Sequence, residues 1–387
     1  MPNHADAPPG LPLGGIRVAD FSRVLAGPLA TMVLADLGAD VIKIERPETG
    51  DDTRGWGPPF LGADAAYFLS LNRNKRSVVL DLSADEGRAA ARRLALSSDV
   101  VVENFRPGLM ERFGLDHATL SAERPEIVSC SLTAFGDGED GAARPGYDII
   151  VQAMSGLMSF TGHPGGEPTK VGVALLDVIC GLYAASAIQA ALIGRRESGR
   201  GSRVTVSLFD ASVAALVNQS ANYLVGGIVP RPMGNQHPNI VPYQLFEASD
   251  RPFILAAGND RLFERTCAVI GRPELARDDR FATNQDRVRN REVLIETLAE
   301  AFATRSAGEW LAELASATVP CAPVRRLDEV FEAPEGRRTL QEVDDPARGS
   351  LRLVADPIRV DGITPPIRRP PPRLGEHTEE VLAELED

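Results

Sequence analysis

Strand-like and helix-like segments alternate through the N-terminal part of this sequence. Two helix-like segments, residues 28–37 and 86–98, are flanked by runs of apolar and β-branched residues. Those runs are IRVADF (16–21), ADVIKIE (39–45), SVVLDL (77–82), DVVVEN (99–104) and EIVSCSL (126–132). Parallel strands need long connections that are usually helices. This alternation therefore predicts an α/β fold with a mostly parallel, helix-flanked sheet.

Length and charge limit what the chain can be. With 387 residues it is too long for one simple core, which predicts two domains or one large domain with an insertion. The formal charge of −13 argues against non-specific nucleic-acid binding, and an anionic ligand would need a local basic pocket. Residues 1–10 are polar and rich in proline, without the pattern of a signal peptide, and we predict a disordered tail there.

Residue types that hold metals are scattered along the chain. Cys130, Cys180, Cys267 and Cys321 lie far apart, and no pair has the spacing of a metal or redox site. The five histidines form no metal-like cluster either. We therefore predict no metal site, no disulfide framework and a reducing, cytoplasmic location.

The phosphate-binding motifs of common nucleotide cofactors are absent from the sequence. LAGPLA (25–30) follows the first predicted strand in place of G-x-G-x-x-G, although Glu45 could otherwise bind a ribose. No P-loop occurs, and no G-x-S-x-G nucleophile elbow occurs. Nicotinamide, flavin or ATP use is therefore not expected, and serine or cysteine chemistry has little support.

One carboxylate interrupts the most apolar stretch of the sequence. Asp177 is the single charged residue in VGVALLDVICGLYAASAIQAAL (171–192), and its presence argues against a membrane span. One interpretation is a helix N-cap, because Asp is favoured there and an apolar helix follows. The other is a carboxylate nucleophile that follows a strand of small and apolar residues and forms a covalent intermediate with an acyl group. Both interpretations stand, because a helix start stabilises the anion that attack requires.

The remaining segments are predicted from the same patterns. Residues 226–243 are rich in glycine and proline, which predicts a linker, and the C-terminal tail combines a proline-rich stretch with a short terminal helix. The predicted helices are 177–195, 210–224, 283–305 and 307–317, and the predicted strands or extended segments are 202–208, 251–258 and 319–325.

Several longer strings are spread in order over almost the whole chain. They are DFSRVLAGPLATMVLADLGADVIKIERP (20–47), GDDTRGWGP (50–58), LNRNKRSVVLDL (71–82), SSDVVVENFRPGLMERFGL (97–115), PGYDIIVQAMSGLMSFTG (145–162), ALLDVICGLYAASAIQAAL (174–192), GNQHPNIVPYQLF (234–246) and PPRLGEHTEEVL (371–382). Each string is weak by itself, but together they are specific. In order and spacing the chain resembles the class III CoA-transferases, the family of formyl-CoA and carnitine CoA-transferases and alpha-methylacyl-CoA racemase.

The resemblance implies a particular architecture. It predicts a large Rossmann-like domain with a parallel sheet, formed by residues 10–227 together with a linker and returning C-terminal segment, 326–387. A smaller α+β domain is expected at 228–325. The resemblance further implies an interlocked homodimer, in which the site lies between the large domain of one chain and the small domain of the other.

The resemblance also implies a set of site residues. Asp177 falls on the family's nucleophile, and Tyr147 and Asp148 fall beside the reaction centre. No permanently bound cofactor is implied, since acyl-CoA and a carboxylic acid are the substrates. Without the resemblance, the basic residues among these positions would be assigned to a solvated face. The implied CoA-binding positions are Arg23, Val24, Arg46, Leu71, Asn72, Lys75, Asn104, Phe105, Arg106, Arg112, Tyr147 and Asp148, of which Lys75, Arg106 and Arg112 are predicted to neutralise phosphates.

Two positions bear on which family reaction is expected. A racemase would carry a histidine as proton acceptor where this chain has Tyr147, and tyrosine titrates near pH 10, which makes it a poor base. Formyl-CoA transferase-like sequences carry a glutamine in place of Leu25 and a glycine-rich loop where this chain reads LAAGND (255–260). We therefore predict CoA transfer from a donor such as succinyl-CoA to a dicarboxylic acid. A racemase-like isomerase, a formyl-CoA:oxalate transferase and a CoA-binding protein without turnover are the alternatives.

Overall fold

The structure is a computed structural model that describes residues 10–142 and 144–386, so most of the predicted N-terminal tail lies outside it. The strands are β1 (Arg17–Asp20), β2 (Asp40–Glu45), β3 (Phe60–Leu61), β4 (Asp64–Ala65), β5 (Lys75–Val79), β6 (Val100–Glu103), β7 (Val128–Thr133), β8 (Arg203–Ser207), β9 (Tyr243–Glu247), β10 (Pro252–Ala256), β11 (Cys321–Pro323), β12 (Leu340–Asp345) and β13 (Gly349–Val354). The helices are α1 (Ala26–Asp36), α2 (Ala66–Leu69), α3 (Asp85–Ser97), α4 (Leu109–Phe113), α5 (His117–Glu123), α6 (Glu139–Ala142), α7 (Asp148–Met154), α8 (Leu157–Phe160), α9 (Leu175–Ser198), α10 (Leu208–Ala215), α11 (Val217–Gly226), α12 (Asp260–Val269), α13 (Asn284–Arg289), α14 (Arg291–Phe302), α15 (Ala307–Ser316), α16 (Leu327–Glu332), α17 (Pro334–Arg337) and α18 (Thr378–Ala383).

The chain divides into two compact units. The large unit contains the residues up to Leu157, Lys170–Gly227 and the residues from Glu335 onward. The small unit contains Met158–Thr169 and Ile228–Pro334. The small unit therefore includes a short segment ahead of α9 that the sequence does not predict, and it continues about ten residues beyond the predicted boundary at 325.

A six-stranded parallel sheet forms the centre of the large unit, which confirms the predicted α/β class. Its strand order is β5-β2-β1-β6-β7-β8, and every neighbouring pair is parallel. The chain moves outward from β1 through β2 to β5 and then resumes on the other side at β6. The carboxyl ends of β1 and β6 therefore flank the point at which the order reverses, where open α/β sheets bind their ligands.

Alternating side chains of the sheet enter two separate cores. Val18 and Val100 pack with α1, α9 and α10 on one face, whereas Ala19 and Val101 pack with α3 and α18 on the other. This follows from the two-residue period of a strand. Because both faces are covered, the strands are nearly continuous apolar runs, which is the reason the sequence predicts them well.

The long helix α9 is a core helix of the large unit. Its length and composition would allow it to cross a membrane, with a mean hydropathy of 1.7. One stripe of its side chains is instead buried against the sheet and α1: Leu176, Cys180, Ala184, Ile188 and Leu192. Asp177 lies next to this stripe, at the edge of the buried surface, and is half-buried.

The small unit has its own sheet and aromatic core. The strands β9, β10 and β11 form an antiparallel sheet, which agrees with the predicted α+β class. Phe253, Phe302 and Trp310 meet edge to face, with ring centroids 5.1 and 5.4 Å apart. Aromatic pairs prefer this arrangement, and these side chains fix α14 and α15 on the sheet.

Two predicted helices are each broken in the structure. The predicted helix 283–305 consists of α13 and α14, because Asn290 donates its side-chain amide to backbone carbonyls of Arg280 and Asp286 and competes with the helix there. The predicted helix 210–224 consists of α10 and α11, which are separated at Leu216. Val217 begins α11 at φ 39°, in a region that β-branched residues rarely occupy.

Candidate active site

Asp177 lies in the first turn of α9, but it is not the cap of that helix. Ala174 occupies the cap position and offers no side-chain acceptor, while Asp177 is the third helical residue. The N-cap prediction for Asp177 is therefore wrong, and no strand precedes the helix as predicted. The position still places the carboxylate at the positive end of the helix dipole, which favours an anion.

A carboxylate from another helix takes the place of the missing cap. Asp148, the first residue of α7, accepts the backbone N–H of Leu176 at 2.8 Å. Its second oxygen accepts from the side-chain amide of Gln152 at 2.5 Å, and the amide oxygen of Gln152 accepts the N–H of Val171 at 2.9 Å. Both side chains are buried. These bonds join α7 to the segment that enters the helix of Asp177.

The carboxylate of Asp177 is electrostatically unfavourable as an anion. Burial, and after it the negative charge of Asp148, raises the pKa of Asp177 to about 7. Within residues 10–142 and 144–386, no hydrogen bond or ion pair to the Asp177 side chain occurs. A carboxylate without partners keeps its lone pairs available, and a raised pKa makes the anion a stronger nucleophile.

Apolar side chains from three helices and a loop surround the first turn of α9. Ala174 and Val178, on either side of Asp177, pack with Val24, Leu71 and a cluster that the following residues complete: Leu25, Leu29, Met32 and Tyr67. The structure therefore brings two of the predicted CoA positions, Val24 and Leu71, to the first turn of α9, beside Asp177. Tyr67 is a residue that no sequence signal predicts here, and burial together with the charges of Asp177 and Asp148 raises the pKa of its hydroxyl.

The helices α9 and α1 are in close contact at Gly181. A Cβ atom on Gly181 would lie 2.6 Å from the carbonyl oxygen of Ala26, so the two helices approach more closely than any side chain at this position allows. Gly181 follows Asp177 by one helical turn. The glycine therefore permits the packing that brings Val24 and Leu25, just before α1, beside the carboxylate.

A cavity of about 260 Å³ opens at the carboxyl edge of the sheet. Three predicted CoA residues line it: Arg23 after β1, Arg46 after β2 and Phe105 after β6. The Arg23 guanidinium lies 5.4 Å from the centre of the Phe105 ring, and its Nε is buried without a hydrogen-bond partner among the described residues. A buried donor without a partner is costly, and a ligand acceptor would satisfy it.

Backbone and surface contacts order the rim of this cavity. The side chain of Asn104 accepts the N–H of Arg23 at 2.9 Å and donates to its carbonyl oxygen at 2.7 Å. Arg23 and Arg46 both bind Asp52, at 3.3 and 2.6 Å. The cavity is also lined by Leu80, Asp81, Leu82 and Ser83. The sequence predicted a strand through residue 82, but β5 ends at Val79, so this part of the lining was not predicted.

Arg106 and Arg112 are not part of the lining of the cavity that contains Arg23 and Arg46. Phe105 and Arg106 line a second cavity of about 220 Å³, together with Glu103, His117 and Arg203. Arg112 is exposed on α4 and is not part of the lining of either cavity. The structure thus places Arg106 close to the predicted CoA residues and leaves Arg112 on the surface.

Lys75 and Asn72 are buried inside the large unit. The Lys75 ammonium has no exposed surface and lies 3.2 Å from Asp20, 2.9 Å from the carbonyl oxygen of Pro28 and 3.0 Å from Asn72. Burial lowers the pKa of Lys75 to about 8. The buried Asp20 carboxylate at the end of β1 holds the ammonium in the core of this structure, and the phosphate role of Lys75 stays a prediction.

Within the described residues, the side chain of Tyr147 makes no hydrogen bond at the site, but that of the next residue, Asp148, does. Tyr147 precedes α7, and its side chain is 64% exposed. Asp148 follows it directly and binds the start of α9. Residues 10–142 and 144–386 contain no group of three or more histidine, cysteine, aspartate or glutamate side chains that could hold a metal ion.

Known proteins resemble this chain over almost its whole length. Residues 13–378 match the sequence profile of CoA-transferase family III. Succinate–glutarate CoA-transferase from Agrobacterium fabrum is 44% identical over 383 residues, covering 97% of this chain and 96% of the relative. Succinyl-CoA:glutarate CoA-transferase from Homo sapiens is 39% identical over 376 residues, covering 97% and 86%.

A solved structure of a CaiB/BaiF family protein from Brucella suis has a TM-score of 0.84 to this chain at 44% identity, covering 97% of this chain and 99% of that one. The fold and the enzyme class predicted from the sequence are thereby confirmed. The chain belongs to CoA-transferase family III.

Proposed function

We propose that this enzyme transfers CoA from succinyl-CoA to another dicarboxylic acid, with Asp177 as the covalent nucleophile. The observation that carries the proposal is the carboxylate of Asp177, which has a raised pKa and no partner in an apolar surrounding. The names of the relatives from Agrobacterium fabrum and Homo sapiens support succinyl-CoA as the donor and glutarate as an acceptor.

The first half of the reaction moves CoA onto the enzyme. The Asp177 carboxylate attacks the thioester carbonyl of succinyl-CoA, the carbon–sulfur bond breaks, and CoA leaves as a thiolate. The product is a mixed anhydride between Asp177 and succinate. The thiolate then attacks the aspartyl carbonyl, which releases succinate and leaves an aspartyl-CoA thioester. With a pKa of about 7, roughly half of Asp177 is anionic at neutral pH.

The second half moves CoA onto the acceptor. The acceptor carboxylate attacks the aspartyl thioester and again releases the thiolate, forming a second anhydride. The thiolate attacks the acceptor carbonyl of this anhydride, so the new acyl-CoA leaves and the Asp177 carboxylate is restored. No step needs an added proton, metal or redox partner.

The proposed site of the CoA nucleotide is the cavity at the carboxyl edge of the sheet. Arg23 and Arg46 supply positive charge on a chain with a net charge of −13, and the unpartnered Nε of Arg23 is a ready donor to a phosphate or adenine acceptor. Phe105 offers a ring for stacking. From there the uncharged pantetheine arm would run along Val24 and Leu71 towards Asp177.

A second copy of the chain completes the proposed enzyme. The large unit exposes apolar side chains on α9 and α11, including Leu182 and Tyr183, and Leu224 and Val225 are 78% and 89% exposed. Exposed apolar faces of this kind mark protein interfaces. We expect the interlocked homodimer, and light scattering on purified protein would give twice the monomer mass.

A transfer screen tests the proposal. Succinyl-CoA is mixed with glutarate, mesaconate, oxalate and matched monocarboxylates, and new acyl-CoA is measured by mass spectrometry. Wild type should transfer CoA to a longer dicarboxylate, whereas Asp177→Ala should not. Asp250→Asn, a substitution in the small unit, serves as the folded control.

Other outcomes of the screen favour the alternatives. Transfer to monocarboxylates well above any dicarboxylate would contradict the acceptor class, and a preference for oxalate would restore the formyl-CoA:oxalate interpretation despite Leu25. If no acceptor reacts but a branched acyl-CoA exchanges its alpha-proton in heavy water, the chain is an isomerase and Tyr147 does not exclude that chemistry.

A further inference from the structure

Two buried side chains join α7 to the entry of the nucleophile's helix. Asp148 is 8% exposed and Gln152 is not exposed at all. The pair makes three hydrogen bonds in series, from Val171 N–H to Gln152, from Gln152 to Asp148 and from Leu176 N–H to Asp148. Two of these bonds end on the backbone between residues 171 and 176, directly before Asp177.

We propose that Asp148 and Gln152 are positioning residues that fix the first turn of α9 and so aim the Asp177 carboxylate at the thioester. The proposal rests on the function proposed above. Its basis is geometric: Ala174 supplies no cap, so the free N–H of Leu176 would otherwise have no acceptor from the protein. Asp148 supplies that acceptor from outside the helix and also fixes the helix relative to α7.

The arrangement also adds charge beside the nucleophile. Among the residues that the structure describes, three titratable groups face Asp177: Asp148 from α7, Tyr67 from α2 and Cys180 from its own helix. Burial and the charge of Asp177 raise the pKa of Cys180 to about 12, so this thiol stays neutral. Asp148 is therefore the group whose negative charge acts on Asp177, and its removal should lower the pKa of Asp177.

The hydrogen-bond pattern permits a test that separates geometry from folding. In Asp148→Asn, a new amide donor faces the Gln152 amide, so two of the three bonds can be kept and the third is lost. In Gln152→Glu, two carboxylates face each other. When the two substitutions are combined, the new amide can accept from Leu176 N–H and donate to the new carboxylate, which in turn accepts from Val171 N–H. All three bonds are thereby restored, with the carboxylate moved one helical turn along α7.

The expected result is a rescue. Each single variant should form the acyl-enzyme from succinyl-CoA on the order of 100-fold more slowly than wild type, because small displacements of reacting groups have effects of that size. The double variant should regain at least about a tenfold rate over the slower single variant. Asp250 accepts the N–H of Ala307 at the start of α15 and provides the matched control, since Asp250→Asn should leave acylation unchanged.

A second measurement needs no substrate. The pH dependence of carbodiimide labelling at Asp177, read by peptide mass spectrometry, reports the titration of this carboxyl. The midpoint should be near 7 in wild type and lower in Asp148→Asn, and it should stay unchanged in Asp250→Asn. A purely structural role of Asp148 would not move this midpoint.

The outcomes separate the inference from the proposed function. Single variants that acylate at the wild-type rate, or a double variant no faster than the slower single one, would overturn the positioning role. If wild type forms no acyl-enzyme, the proposed function fails. An unshifted labelling midpoint in Asp148→Asn would then also overturn the electrostatic part of the inference, whereas a shifted midpoint would support it.

Discussion

The backbone N–H of Val24 lies 3.3 Å from each carboxylate oxygen of Asp51. These contacts hold a β-branched residue at φ 71°, a left-handed conformation that such residues rarely adopt. Asp51 is in turn fixed by the Lys43 ammonium at 2.8 Å, and both side chains are buried. A buried ion pair therefore holds a strained backbone in the cluster that packs around the start of α9, as strained residues at functional sites require.

Replacing Asp51 should lower the free energy of unfolding and change how that free energy depends on pH. Although burial opposes it, the Lys43 ammonium lowers the pKa of Asp51 to about 2, below the ordinary value near 4. A carboxyl with a depressed folded-state pKa stabilises the protein above its unfolded pKa, and this contribution is lost as the pH falls through about 2. For Asp51 it amounts to about 2 kcal/mol.

Urea unfolding measures this effect. Asp51→Asn should lose about 3–5 kcal/mol at pH 7, because it leaves a buried ammonium without its partner. Between pH 4 and pH 2, the free energy of unfolding of Asp51→Asn should decrease by less than that of wild type. Asp328→Asn, in an exposed ion pair with Arg326, should change the free energy of unfolding by less than about 1 kcal/mol. Parallel pH profiles for wild type and Asp51→Asn would contradict the assignment.

Asp177→Asn should stabilise the enzyme while abolishing its chemistry. Burial, and after it Asp148, raises the pKa of Asp177 to about 7, above its unfolded value near 4. Ionised Asp177 therefore destabilises the folded state above pH 4, increasingly until the pH passes 7. The variant should gain about 2–4 kcal/mol of unfolding free energy at pH 8 and little at pH 4. An equal change at both pH values would show that Asp177 titrates normally.

Lys75 and Arg23 should affect different properties. Lys75→Met should cost about 3–5 kcal/mol of stability, because it leaves the buried Asp20 carboxylate uncompensated. Arg23→Ala should raise the KM for succinyl-CoA roughly tenfold with little change in stability, because its guanidinium faces the cavity. Exposed Arg352 is the control, and Arg352→Ala should change neither. A KM effect without loss of stability in Lys75→Met would support its predicted phosphate role.

Two glycines of α9 form a matched pair. Gly181→Ala should destabilise the protein by about 1–3 kcal/mol, since the new methyl group would meet the carbonyl oxygen of Ala26 and force α9 away from α1. Gly194→Ala has open space and should stabilise by about 0.5–1 kcal/mol. Thermal unfolding compares them directly. Lower transfer activity is expected in Gly181→Ala alone, and equal effects in both variants would contradict the packing.

Much of the fold could be predicted because the decisive patterns are local. The strands of a sheet that is covered on both faces are continuous apolar runs, so β1, β2, β6 and β7 were predicted within two residues of their ends. Helix breaks were missed, because the side chain of Asn290 acts through contacts that the helical period does not reveal. The Met158–Thr169 segment of the small unit was missed for the same reason, since its partners are distant in sequence.

The site was only partly predictable. Asp177 stands out because it is a charge in an apolar helix, and residues that follow strand ends, such as Arg23 and Phe105, meet at one edge of the sheet by topology. Whether a lysine faces a ligand or the core depends on a buried partner, and the sequence around Lys75 does not show that Asp20 is that partner. The link from Asp148 to Leu176 spans 28 residues and has no local signal.

The most direct test of the account follows the oxygen atoms of Asp177. The enzyme is turned over with succinyl-CoA and a dicarboxylate acceptor whose carboxylates carry heavy oxygen, and the peptide containing Asp177 is then examined by mass spectrometry. An acyl-anhydride route predicts one heavy oxygen in the side chain of Asp177 after the first turnover, a second as further turnovers replace the remaining light oxygen, and heavy oxygen in the succinate that those later turnovers release. Unlabelled Asp177 after many turnovers, with new acyl-CoA formed, would contradict covalent catalysis by this residue.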